Sequence, residues 1–434
     1  MTISAAEDSA PKSAASLGDL WQAFGRIGLL SFGGPAAQIA LMHKVLVDEK
    51  KWLSEKQYLN ALSFCMLLPG PEAMQLATYA GWRLQGVAGG LIAGLLFVLP
   101  GAFFVLCLAT IYAYFGNVPL VEALFIGVKA AVVAIVIEAL MKVAKRALIE
   151  TQHWILAGLA FVGIFFLSVP FPLLILAAAL YGAFFGGKGV SGTDTEVVVR
   201  QSWSDTARTV TLWLFIWLAP LALLWATAPE GIMVDIGFFF SKLAVVTFGG
   251  AYAVLAYMAQ DVVNHYGWLD AGEMMDGLGL AETTPGPLIL VTEFVGFLAG
   301  FKAYGFAAGV AAALITLWVT FAPCFLWIFA GAPYIEWISA QPRLRGALTA
   351  ITAAVVGVIL NLSLWFALHV FFERVTREEM GPFLLWLPDL STLSLAPVLL
   401  AILCGILLLR LKWQIAPILG VSAALALVLS FVGL

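Results

Sequence analysis

Apolar residues fill this chain in long unbroken blocks, separated by short polar stretches and Gly/Pro clusters. Blocks of about 20 apolar residues predict helices at bilayer depth, whereas a barrel strand alternates apolar and polar over about ten. Long blocks fall at 88–115, 119–142, 153–169 and 171–187, and again at 306–332, 346–372, 395–410 and 414–433. Ahead of each set lie two blocks interrupted by Gly and Pro, at 17–42 and 58–82, then at 235–258 and 274–299. One more apolar block, 209–228, follows a polar linker, GGKGVSGTDTEVVVRQSWSD.

The two sets match in register. SFGG at Ser31–Gly34 meets TFGG at Thr247–Gly250 at an offset of 216, which also pairs Trp52 with Trp268 and Pro69-Gly70-Pro71 with Pro285-Gly286-Pro287. The same offset pairs Arg26 with Lys242 and Asp19 with Asp235. After a seven-residue insertion the offset is 223, and Pro100 meets Pro323, Pro119 meets Pro342 and Ala131-Val132-Val133 meets Ala354-Val355-Val356. Several Gly/Pro landmarks and a Trp in one register mark an internal duplication.

Each repeat has six elements, and the added block at 209–228 makes the count before the second repeat odd, so the second repeat enters the membrane inverted. Charge agrees. The connector 43–57 carries Lys44, Lys50, Lys51 and Lys56, and its counterpart 259–273 carries no Lys or Arg. Equivalent loops of opposite charge content belong on opposite faces. The positive-inside bias holds only if the interrupted segments enter the membrane and return to the face they left. Arg83, Lys142, Lys145, Arg146, Arg343 and Arg345 then lie on the cytoplasmic face with the Lys-rich connector, and Lys302, Arg374 and Arg377 lie outside.

The expected fold is therefore an all-α polytopic membrane protein, two inverted-topology repeats with broken, re-entrant helices joined by an extra transmembrane segment. Its parts are a disordered cytoplasmic tail at 1–16, an N-terminal repeat at 17–187, a linker and connecting helix at 188–230, and a C-terminal repeat at 231–434.

Composition narrows the class. The chain is 62% hydrophobic and 11% charged, with a mean hydropathy of +1.00, more apolar surface than a soluble domain can hide. The net charge of −4 is spread over short loops, so no basic patch points to nucleic acid. Cys65, Cys107, Cys324 and Cys404 form no C-x-x-C and read as packing residues. His43, His153, His265 and His369 lack metal or haem spacing, and no dinucleotide-binding glycine pattern is present, so no cofactor, metal or enzyme activity is expected.

The breaks carry the candidate chemistry. Proline lacks an N–H and disrupts the preceding turn, while glycine accepts the bend. Broken backbone at bilayer depth is tolerated where it faces protein or a watery cavity, and a helix starting there aims free N–H groups and about half a positive charge into it. Paired interrupted segments in inverted repeats point to a transporter site, although each proline alone would serve as a kink. Arg26 and Lys242, each six residues before its Phe-Gly-Gly, are expected to attract an anion, or else to snorkel or pair with Asp19 and Asp235. Lys129 has Thr352 as its repeat mate and is expected to pair with Glu122. Among the acids Glu72, Glu138, Glu282 and Glu293, Glu72 and Glu282 flank the Pro-Gly-Pro breaks and are candidates for ion coupling. Gln38, Gln75, Thr78, Thr283, Thr284 and Thr292 are candidate neutral donors, unless the threonines bond their own helices.

The stretches SFGGPAAQIALMHKVLVDEKKWLSE, LLPGPEAMQLATYAGWRLQG, TFGGAYAVLAYM and LAETTPGPLILVTEFVGF resemble the chromate ion transporter family in its long, two-domain form, over nearly the whole chain from Leu17. The resemblance implies a multi-pass carrier of the bacterial inner membrane, N-terminus cytoplasmic, that exports chromate on the proton gradient, confers chromate resistance and meets competition from sulfate. Site roles carry to Phe32, Gly33, Gly34, Pro35, Pro69, Gly70, Pro71 and Glu72, and to Phe248, Gly249, Gly250, Glu282, Pro285, Gly286 and Pro287. The amides of Gly33, Gly34, Gly70, Gly249 and Gly286 are expected to ligate the oxyanion. The second copy departs in having Ala251 where the first has Pro35. Expected partners are chromate or sulfate, protons or a counter-ion, and the lipid bilayer. A homodimer is allowed, although no motif specifies one. The rival readings are a carrier of sulfate or another oxyanion, and a channel with re-entrant loops.

Overall fold

The computed structural model describes residues 15–186, 203–248, 251–381 and 383–432. It is helical almost throughout. The first repeat runs α1 (Leu17–Leu30), α2 (Gly34–His43), α3 (Glu55–Cys65), α4 (Glu72–Phe115), α5 (Pro119–Ala147), α6 (Thr151–Phe165) and α7 (Phe171–Phe185). α8 (Trp203–Thr227) connects to α9 (Ile232–Val246), α10 (Ala251–Gln260), α11 (Ala271–Thr283), α12 (Val291–Tyr304) and α13 (Phe306–Gly331). Then come the short α14 (Ile335–Ala340), α15 (Pro342–Phe371), a hairpin of β1 (Val375–Met380) and β2 (Phe383–Pro388), α16 (Leu395–Gly405) and α17 (Ile415–Val432).

Local sequence sets the ends. Ser54 and Asp270, repeat mates, each cap the helix that follows with a capping box. Pro119 and Pro342, also mates, open α5 and α15, where a missing N–H costs nothing. The break at Gln85 and Gly86 turns α4 into a helical hairpin, closed so tightly that a Cβ on Gly81 would lie 2.2 Å from the Gly89 carbonyl oxygen. α12 and α13 form the equivalent hairpin around Gly305. The seven-residue insertion divides in two: three residues precede Gly81 and its mate Gly300, and four, about one helical turn, follow.

α5 and α15 pack together at the centre, and each grips the last two helices of the other repeat, α16 and α17 on α5, α6 and α7 on α15. α8 packs against α9 and α13 through Trp213, Trp217 and Leu221 and leaves most of its apolar surface outward. Among the described residues, five helices are long and apolar enough to cross a membrane: α4, α5, α8, α13 with its short extension, and α15.

The repeats face opposite ways. Near the end of α5, Arg146 reaches Met66 at the tip of α3, whereas near its start Lys129 pairs with Asp276 of α11. α3 and α11 are repeat mates, yet they meet opposite ends of the same helix. The interrupted segments also fold back. Arg26 of α1 bonds Glu49, which follows α2, at 3.1 Å, a contact closed to a chain that continued straight across.

Three features differ from expectation. Ala15 and Ser16 belong to the fold rather than to a tail: Ser16 caps α1 and the Ala15 carbonyl accepts from Gln85. The rest of that tail, residue 187 and 188–202 of the linker lie outside the described residues. Lys129 pairs with Asp276 at 3.4 Å, not with Glu122, because α11 lies alongside α5 there. The sequence predicts no element between 372 and 395, but β1 and β2 form a hairpin in that interval, and its Leu384 amide donates to the Phe166 carbonyl. β1 is half charged and almost wholly exposed, so it carries no apolar signature of its own.

Candidate functional site

The four breaks lock the repeats together reciprocally. The Gly70 amide donates to the Thr247 carbonyl at 2.8 Å, and the Gly286 amide donates to the Ser31 carbonyl at 2.9 Å. Gly70 and Gly286 are mates, as are Ser31 and Thr247, so a pseudo-two-fold axis passes between them. Gly70 has φ of 117° and Gly286 of 93°, backbone angles that demand glycine. Each Pro-Gly-Pro turn therefore seats against the Phe-Gly-Gly turn of the opposite repeat. It also packs against the opposite kinked helix: Cys324 beside Gly70, and Gly101 beside Pro285.

A cavity of about 370 Å³ opens at this junction. The starts of α2 (Gly34, Pro35, Ala36) and of α10 (Ala251, Tyr252) both face it. Two helix N-termini thus bring their unpaired N–H groups and partial positive charge to one place. Gly33, in the left-handed region at φ 85°, turns the chain into α2. Gly70 and Glu72 close one wall, and Glu138, Lys142 and Arg146 of α5 line another. Glu138 holds Lys142 at 2.7 Å. Arg146 makes no ion pair among the described residues, and its Nη2 lies 3.3 Å from Met66 Sδ. Just behind the wall, the Tyr252 hydroxyl donates to Glu282 at 2.6 Å, and the second Glu282 oxygen has no partner.

The expected residues divide. Gly33, Gly34, Pro35, Gly70 and Glu72 line the cavity, and Glu282 touches it through Tyr252. Glu72 opens α4, with Pro71 in the capping position just ahead of the first turn. Pro69, Pro71, Pro285 and Pro287 shape the turns without appearing in the cavity wall, Phe32 is exposed, and Phe248 is half-buried. Gly249 and Gly250 lie outside the described residues. Arg26 is bound to Glu49 with its side chain 56% exposed, and Lys242 is exposed over the Tyr257 ring at 5.3 Å. Neither reaches the cavity or its expected partner, Asp19 or Asp235. The amides of Gly70 and Gly286 are committed to Thr247 and Ser31, so they are not free to ligate an anion.

The neutral donors are committed as well. Gln38 donates to the carbonyls of Gly286 and Ser31, and Gln75 to that of Pro69. Thr78, Thr283, Thr284 and Thr292 bond carbonyls of their own segments three or four residues back. In the sequence Lys142 and Arg146 bear only on topology. Their available signal was a pair of cations one turn apart at the end of an apolar helix, with Trp and His at the mate positions. Among the described residues no group of three or more His, Cys, Asp or Glu comes together to hold a metal.

Comparison with known proteins fits this construction. The family model described as "Chromate transporter" matches residues 18–183 and 234–429, one match per repeat. A chromate transport protein of Pseudomonas aeruginosa is 32% identical over 368 residues, covering 83% of this chain and 83% of that protein. One from Cupriavidus metallidurans is 29% identical over 421 residues, 93% of this chain and 90% of its own length. A probable chromate transport protein of Synechococcus elongatus is 30% identical over 346 residues, 79% of this chain and 83% of that protein. No solved structure matches the chain. With both repeats matched and their breaks joined around one cavity, this multi-pass membrane protein belongs to the chromate transporter family.

Proposed function

We propose that the chain is a secondary transporter that exports chromate from the cytoplasm across the bacterial inner membrane, driven by the proton gradient, and so confers chromate resistance. The observation that carries this reading is the cavity where the N-termini of α2 and α10 converge on Arg146, a cation without a carboxylate partner among the described residues. A tetrahedral dianion suits that arrangement: backbone N–H groups and a guanidinium fork both favour oxyanions. Lys142, released from Glu138, supplies a second charge. The basic end of α5 lies on the cytoplasmic face by the positive-inside bias, with the N-terminus on the same face, so the cavity receives its anion from the cytoplasm. Glu72 in the wall and Glu282 behind Tyr252 are the acids placed to couple proton movement to anion movement. Arg26 and Lys242 have no part in this site.

The test is uptake of radiolabelled chromate and, separately, sulfate into inverted membrane vesicles, with and without an imposed proton gradient. Gradient-dependent accumulation of chromate is expected, abolished by an uncoupler. Downhill flux indifferent to the uncoupler would indicate a channel, and preferential accumulation of sulfate would reassign the substrate.

A further inference from the structure

Inverted repeats alternate access by exchanging conformations about their common axis. Residues lining the cavity in this state then hand their positions to their mates in the other. The wall residues Thr352, Glu138, Lys142 and Met66 exchange with Lys129, Asn361, Trp365 and Glu282. Lys129, Asn361 and Trp365 do not line the open cavity, and Glu282 touches it only through Tyr252. Asn361 is 1% exposed with both amide atoms unpartnered, the Trp365 Nε1 has no acceptor, and one Glu282 oxygen is unpaired. Buried polar atoms left unpaired cost about 1–3 kcal/mol each. Unpaired polar atoms at Asn361 and Trp365, the positions exchanged with Glu138 and Lys142 of the wall, are what a second cavity that is shut in this state would leave.

Of those four mates, Lys129 alone is a cation. It sits against the first turns of α11, where Asp276 Oδ2 holds it at 3.4 Å and also accepts from the Tyr112 hydroxyl at 2.8 Å. The other Asp276 oxygen has no partner. We infer that Lys129 is the anion's ligand on the closed side, and that Asp276 is an internal competitor that takes Lys129 back and so expels the anion there. The inference rests on the transport reading. It adds a station where Lys129 and its rival carboxylate stand alone, without the counterpart of Arg146 that the open side has beside the Lys142–Glu138 pair, a difference that favours release. Asp276 and the oxyanion are both negative partners of the same ammonium, so each weakens the other's hold on it.

The test uses the full-length protein reconstituted in vesicles with radiolabelled chromate. Lys129→Met is expected to lower kcat at least about tenfold, the scale of one lost charge-assisted hydrogen bond, with Lys129→Arg restoring most of it. Asp276→Asn is expected to lower KM and kcat together, because the anion binds Lys129 unopposed and leaves slowly; a merely structural role would not produce that split. Asn361→Cys is expected to react with an impermeant thiol reagent from the face opposite Arg146, faster during chromate turnover, compared with wild type. Wild-type rates in both Lys129 variants, an unchanged KM-to-kcat relation in Asp276→Asn, or Asn361→Cys that stays unlabelled during turnover would each overturn the inference. Should Lys129→Met fail to accumulate, the Asp276→Asn and Asn361→Cys measurements decide it. Absence of chromate uptake by the wild-type protein would instead sink the transport reading on which it rests.

Discussion

At the end of α5, Lys142 and Arg146 line an open cavity; near the end of α15, their mates Trp365 and His369 are packed together, with Trp386 of the hairpin on the histidine. Between the repeats the backbone contacts are reciprocal to the residue, as the Gly70–Thr247 and Gly286–Ser31 bonds demonstrate. The symmetry thus belongs to the helix breaks, and the chemistry belongs to the departures from it. Duplication supplies two convergent helix N-termini, and unequal side chains decide which face presents cations. Replacing a residue by its mate is the direct way to separate the two contributions.

The largest effect is expected where the symmetry is tightest. Gly101 and Cys324 are mates, each beside the Pro-Gly-Pro turn of the other repeat. A Cβ on Gly101 would lie 2.2 Å from the Pro285 carbonyl oxygen, a backbone atom that has no room to move. Gly101→Cys, the copy of its mate, is expected to lose about 2–3 kcal/mol or fail to fold, whereas Cys324→Gly loses about 1 kcal/mol. Thermal unfolding in detergent, followed by size-exclusion chromatography, checks the pair; equal losses would mean that the two turns are seated alike.

The cations come next. Arg146→Ala is expected to raise the KM for chromate about tenfold, the low end for a charge-assisted hydrogen bond, and its mate substitution His369→Ala to change it less than about twofold, since His369 Nδ1 is engaged with the Trp365 carbonyl. Vesicle uptake across a range of chromate concentrations measures both. A KM shift in His369→Ala as large as that in Arg146→Ala would erase the contrast between the two faces.

Much of this was legible in the sequence, and what was not has a physical reason. The breaks, the duplication and the inversion follow from Gly/Pro spacing and from lysines on one connector only, because backbone conformation and membrane insertion are read locally. Arg26 and Lys242 were drawn into the site by their matched spacing, but spacing does not say which face of a helix a residue occupies. Arg26 meets Glu49 because α2 folds back beside α1. The Gly70 and Gly286 amides look free in a sequence and are paired only once the opposite repeat arrives. The same holds for Arg146, whose worth depends on α2, α3 and α10 gathering at the end of its helix.

A smaller effect is expected from Gln38, which the first repeat has where the second has Val254. Its amide bridges the carbonyls of Gly286 and Ser31 at 2.6 and 3.3 Å, tying both repeats at one break. Gln38→Val is expected to cost about 1–2 kcal/mol, since the Gly286 carbonyl loses its donor in a buried setting. Unfolding stability should fall while the KM for chromate holds, because Gln38 does not line the cavity. A KM change without a stability change would place Gln38 in the site after all.

The finest comparison is between Pro35 and Ala251, mates at the start of the two helices that face the cavity. Pro35 lies in the first turn of α2, where its fixed φ suits the helix and its missing N–H removes one donor from those aimed at the anion. Ala251 keeps that donor at the start of α10. Exchange therefore trades rigidity against ligation, with opposite signs in the two repeats. Pro35→Ala is expected to lose up to about 1 kcal/mol of stability through a freer unfolded chain, and Ala251→Pro to gain a similar amount if its backbone accepts the ring. For chromate, the added N–H in Pro35→Ala should leave affinity equal or tighter, and the N–H lost in Ala251→Pro should weaken it, by less than the Arg146 effect in either case. Equal changes of the same sign in both variants would show that neither helix start binds the anion through its first turn and that the attraction comes from the α5 cations alone.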